Sequence, residues 1–90
     1  MKNSDLRLDG NAAAGLLSEV FTAEMTAALI TCATCRASGA VGAVHVYDRG
    51  PGTVLRCPSC HGVLMRFVRV RGRVLADLRG VGTLALPAAE

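Results

Sequence analysis

The chain has little from which to build a core. Its 90 residues include two phenylalanines, one tyrosine and no tryptophan. Phe21, Tyr47 and Phe67 are therefore all its aromatics, and much of its 51% hydrophobic content is Ala and Val. A domain of this length buries only about 60–65% of its unfolded surface, so a core this thin calls for a staple. The start, Met1-Lys2-Asn3-Ser4-Asp5, has no apolar segment behind it, which gives no sign of secretion and predicts a cytoplasmic protein. The longest apolar stretch, near Ala12 to Ala33, is broken by Glu19 and Glu24, which excludes a plain membrane span and leaves no membrane partner to expect. Catalytic constellations are missing as well. The sequence shows no Ser-His-Asp set, no paired acids at a plausible site, no phosphate-binding glycine loop and no dinucleotide fingerprint. Gly80-Val81-Gly82 reads as a loop and nothing more. The expectation is a protein that is not an enzyme and takes no small-molecule substrate.

What the chain does have is four cysteines in two CxxC pairs, Cys32-Ala33-Thr34-Cys35 and Cys57-Pro58-Ser59-Cys60, 21 residues apart. Each CxxC turn brings two sulfurs to one point. Two turns supply Cys32, Cys35, Cys57 and Cys60, the ligand count of a tetrahedral structural zinc. One structural Zn2+ is the expected cofactor, and a structural zinc binds small domains with an apparent free energy of roughly 10–16 kcal/mol. Iron and a pair of disulfides are the alternatives, the second disfavoured in a reducing compartment. Backbone N–H groups of each turn are expected to point at the sulfurs. Pro58 pre-sets the backbone of the second turn. The residue after the last cysteine of such turns is often glycine, because the backbone goes left-handed there; here Arg36 and His61 take those places. With four thiolates present neither His45 nor His61 is required as a ligand. Both read as ordinary half-exposed residues, the sharper reading of His61 being a donor to a sulfur.

Asp9-Gly10-Asn11 reads as a turn whose Asp9 or Asn11 caps a helix. Ala13, Leu16, Leu17, Val20 and Phe21 recur at helical spacing, predicting a helix within 9–22. Gly15 weakens that helix and suggests a close approach. Residues 1–8 read as a flexible terminus, and 25–86 as the metal-bearing sheet with a C-terminal hairpin. Strands are predicted over Met25–Thr31, Val41–Tyr47, Thr53–Arg56, Val63–Val70 and Arg73–Leu78, with a short last strand near Leu84–Leu86. The dense turn signal of residues 48–52 separates the third from the second.

The cysteine pattern resembles a zinc ribbon. Together with Leu8-Asp9-Gly10-Asn11-Ala12, Leu17-Ser18-Glu19-Val20-Phe21, Leu55-Arg56-Cys57-Pro58 and Leu78-Arg79-Gly80, it resembles a family of small uncharacterised bacterial proteins over nearly the whole chain. The resemblance implies a small α+β domain: a zinc-ribbon-like antiparallel β-sheet with one N-terminal helix packed on it, and one metal on the four cysteines. It implies no activity. The cysteine pairs also resemble those of rubredoxin, whose relatives are acidic and aromatic-rich where this chain is neither.

The net charge of +3 is unevenly placed. Residues 1–45 carry three Lys/Arg against four acids, and residues 46–90 carry seven Arg against three acids. In the hairpin, alternation places Arg69 and Arg71 on one face with Arg73 and Arg79, Asp77 among them. The plain reading is a solvated face that discourages edge pairing; the functional one is a phosphate-contacting surface. Three functions follow. The first is a zinc-stapled, non-enzymatic module with a protein partner. The second is a nucleic-acid-binding zinc ribbon using Arg69, Arg71, Arg73 and Arg79. The third is a rubredoxin-like iron electron carrier.

Overall fold

A computed structural model of the chain describes residues 8–21 and 23–87. Eight strands and one short α-helix follow in order: β1 (Leu8–Asp9), α1 (Ala14–Val20), β2 (Leu29–Cys32), β3 (Ser38–Ala40), β4 (His45–Tyr47), β5 (Gly52–Arg56), β6 (Val63–Val70), β7 (Arg73–Asp77) and β8 (Val81–Ala85). Every pairing is antiparallel, and the strands form two sheets, one ordered β1-β4-β5-β6-β7 and one ordered β3-β2-β8. The expected small α+β fold is thus present, with its strands divided between two sheets.

Asp9 caps the N-terminal segment, its carboxylate accepting from the Asn11 backbone N–H at 3.1 Å. The segment begins as a 3-10 turn over Gly10–Ala13 and continues as α1. Leu8 and Asp9, expected at the junction of tail and helix, instead pair with Val46 and His45 as an edge strand. The rest of the expected flexible terminus, residues 1–7, lies outside the described residues, as does Thr22 at the predicted helix end. Leu17 is the buried anchor of α1, while Leu16, Val20 and Phe21 are partly buried against the same core. The helix lies over the inner face of the five-stranded sheet, where Leu16 shares a hollow with Thr53, Phe67 and Arg69. Gly15 makes no close approach, since a Cβ there would meet nothing within 4 Å.

Two predicted strands begin late. Residues Met25–Ala27 form a 3-10 turn capped by Glu24, so β2 starts at Leu29. Val41–Ala43 form another, with the Val44 N–H returning to the Val41 carbonyl at 3.2 Å. That turn is where the chain leaves β3 in one sheet and enters β4 in the other, so an unbroken strand over 41–47 could not make the crossing. The predicted loop at 80–82 is also corrected: Val81 opens β8, which pairs with β2 from Cys32↔Val81 to Leu29↔Ala85. Val41, Leu55, Met65, Phe67 and Leu17 are essentially sealed from solvent, and with Ile30 and Cys32 of the smaller sheet they form one core. β6 and β7 are joined at Arg71 and Gly72, both at positive φ, 51° and 78°, the backbone of a tight hairpin turn matched to strand twist.

Candidate metal centre

Each CxxC pair sits in the turn of a hairpin, the first between β2 and β3 and the second between β5 and β6. The two turns share one hydrogen-bond plan. The Cys32 N–H donates to the Ala37 carbonyl at 2.9 Å and the Arg36 N–H to the Cys32 carbonyl at 3.0 Å. In the second turn the Cys57 N–H donates to the Gly62 carbonyl and the His61 N–H to the Cys57 carbonyl, both at 2.9 Å. Arg36 and His61 take up the left-handed conformation expected of glycine there, at φ 68° and 64°.

This arrangement aims backbone donors at sulfur. Ser59 N–H points to Cys57 Sγ and Gly62 N–H to Cys60 Sγ, each at 3.4 Å. In the first turn, Cys32 receives the backbone donors of Cys35 and Thr34, and Cys35 receives that of Ala37. The Cys35 N–H, more than any other group, draws the Cys32 thiol down to about 6. The Cys60 N–H lowers Cys57 in the same way. Cys35 differs: the Ala37 N–H lowers its pKa, but burial and the three neighbouring thiols carry it up to about 11. Such donors stabilise thiolates and fix their direction, which a metal ligand requires.

The two turns bring all four Sγ atoms within 4.8 Å of one another. Cys32 Sγ lies 3.7 Å from Cys60 Sγ, and Cys35 Sγ lies 3.6 Å from Cys57 Sγ. These two contacts run between the hairpins, and all four cysteines are free thiols. The cluster is close enough to hold a metal ion. Cys32 and Cys57 are buried and Cys35 is exposed, so the site lies at the rim of the core.

His61 does not reach a sulfur. Its ring stacks on His45 at 6.3 Å between centroids, and its carbonyl accepts from Arg56 Nη1 at 2.8 Å. The guanidinium of Arg56 in turn lies over the Tyr47 ring, 5.9 Å from its centroid.

The four predicted arginines do not share a face. Arg69 pairs with Val74 on the inner side of the sheet and grips Glu19 of α1 through Nη2 at 2.7 Å. Arg71 lies in the turn, and Arg73, paired with Val70, projects to the outer side. Arg79 closes back on Asp77 at 2.6 Å. The register across β6 and β7 places Arg69 and Arg73 at adjacent pairs, hence on opposite faces, where alternation along a single strand had suggested one basic surface. The cationic residues that do gather outside, Arg49, Arg56 and Arg66, were not singled out; the β4–β5–β6 pairing that assembles them is long-range.

Two knuckles closing four thiols to one point, on a small α+β fold, define a protein with a four-cysteine metal-type centre. The chain belongs to a family of unknown function (DUF6510), whose model matches residues 2–89. No curated protein and no solved structure matches it significantly. No helix among the described residues is long and apolar enough to cross a membrane.

Proposed function

We propose that the chain is a non-enzymatic binding module of zinc-ribbon type, held in shape by one structural Zn2+ on Cys32, Cys35, Cys57 and Cys60. The meeting of four sulfurs from two equivalent turns carries this reading. A tetrahedral ion with Zn–S bonds of about 2.3 Å separates its ligand sulfurs by about 3.8 Å, and two pairs that span the hairpins stand at 3.7 and 3.6 Å. Soft thiolates select zinc or iron over hard cations. A catalytic zinc would keep one position for water beside three protein ligands, whereas here four sulfurs supply a full tetrahedron. When bound, the ion supplies cross-linking between the two sheets, not chemistry on a substrate.

Metal analysis of the purified, reduced protein tests this reading. One zinc per chain in a colourless protein supports it; a red protein holding iron favours the electron carrier. Replacement of any one cysteine by serine should lose the metal and most of the fold, because the remaining core is thin. A folded, reduced protein without metal would contradict it.

A further inference from the structure

We propose that the outer face of the five-stranded sheet, centred on Tyr47, binds single-stranded nucleic acid. The inference rests on the binding-module reading and supplies its partner. The inner face of that sheet is covered by α1, while the outer face carries no covering element among the described residues. Residue pairing places Tyr47 beside Val54, Val54 beside Arg66, and Val68 beside Leu75 on this outer side. Val70 and Leu75 are 42% and 58% exposed there.

Two hollows meet at the Tyr47 ring. One, of about 500 Å³, has Val54 and Val68 in its lining, with Arg49 and Arg66. The other, of about 430 Å³, is lined by Tyr47, Val54, Arg56 and His61. Each thus combines apolar surface with at least one guanidinium, and flat groups recur along the row: the Tyr47 ring, the Arg56 plane above it and the His61 ring. Arg73 extends the positive charge along the face, whose one carboxylate among the described residues, Asp77, is already held by Arg79. A single strand of nucleic acid offers flat apolar bases alternating with phosphates, and such strands are bound by stacking groups set in a basic groove. An acidic protein segment would match the arginines but would have no use for flat surfaces on either side of an aromatic ring. Stacking on a ring tolerates any base, so discrimination among sequences is expected to be weak.

Tyr47 is the only tyrosine and there is no tryptophan, so intrinsic tyrosine emission reports this face alone. Oligo(dT) and oligo(U) of about 12 nucleotides, added to the metal-loaded protein at low salt, should quench that emission to saturation. For about three phosphate contacts, affinity should fall roughly 10–20-fold between 50 and 200 mM salt. With end-labelled oligonucleotides and anisotropy as the readout, Tyr47→Leu and the pair Arg49→Ala/Arg66→Ala should each weaken binding by about tenfold or more while keeping the metal. Arg69→Ala, on the inner face, should bind as the parent does. A duplex of the same length and poly-glutamate should bind far more weakly. Absence of quenching and of anisotropy change at low salt would overturn the proposal. So would undiminished binding by the arginine pair, or poly-glutamate binding as tightly as oligo(dT), which would assign the face to an acidic protein segment. Metal content measured on the same samples separates this from the zinc reading: a zinc-loaded chain that ignores oligonucleotides refutes the partner and leaves the staple standing.

Discussion

Arg36 and His61 hold the same left-handed backbone, φ 68° and 64°, one residue after the last cysteine of each knuckle. Left-handed geometry costs an ordinary residue about 1–2 kcal/mol, and glycine returns part of that relief as lost chain entropy, about 0.4–1 kcal/mol. Arg36→Gly should therefore leave the metal-loaded protein unchanged or raise its stability by up to about 1 kcal/mol. Arg36→Val, with a β-branched side chain, should lower the thermal midpoint. A lower midpoint for Arg36→Gly than for Arg36→Val would contradict the knuckle geometry.

Gly80 ties the two halves of the molecule together. Its carbonyl accepts from Ala33 N–H at 2.9 Å beside the first knuckle, and its Cα faces the Val63 backbone so closely that a Cβ would collide with the Val63 carbonyl. Gly80→Ala should destabilise by at least about 1–3 kcal/mol, because backbone cannot step aside as a side chain can. Gly15→Ala has open space and a helical position, and should stabilise by about 0.5–1 kcal/mol. Denaturant midpoints of the two variants moving in the same direction would refute this contrast.

The helix should act through Leu17 first. Leu17 is sealed in the core, while Leu16 and Phe21 keep some exposure. Leu17→Ala should cost about 2–5 kcal/mol, and Leu16→Ala distinctly less. Equal losses in chemical denaturation would show that α1 packs otherwise.

Acid should release the metal. Each ligand must be a thiolate, so protons compete with the ion and the stability it contributes is present at high pH and lost as pH falls. In the metal-free site Cys35, held up at about 11, retains its proton at neutrality, whereas Cys32, drawn down to about 6, has mostly lost it. Binding near pH 7 should therefore expel at least one proton, read by calorimetry in two buffers of different ionisation enthalpy. Affinity should fall steadily from about pH 8 to about pH 5. No proton release and a flat affinity would refute thiolate ligation.

The four-cysteine cluster was legible because CxxC is a local signal: each pair needs only its own hairpin turn, and the left-handed residue after it follows from the same turn. Strands β5, β6 and β7 were legible for the same reason, their alternation and turns being local. The two-sheet division was not. β8 reaches its place only by pairing with β2, some fifty residues earlier in the chain; its end was legible at Leu84, but Gly80 and Gly82 made its start read as a loop. The arginine surface failed at the register step. Alternation shows which residues of one strand share a side, but only the pairing of Arg69 with Val74 shows that Arg73 falls on the other.

Removal of the metal tests the central claim most directly. Far-ultraviolet circular dichroism would be followed while a strong chelator is added to the reduced protein, and then as zinc is returned. If the four thiolates staple the two sheets, chelation should abolish most of the strand signal and one equivalent of zinc per chain should restore it. A spectrum unchanged by complete metal removal would show that the core stands without the staple, and would contradict the account.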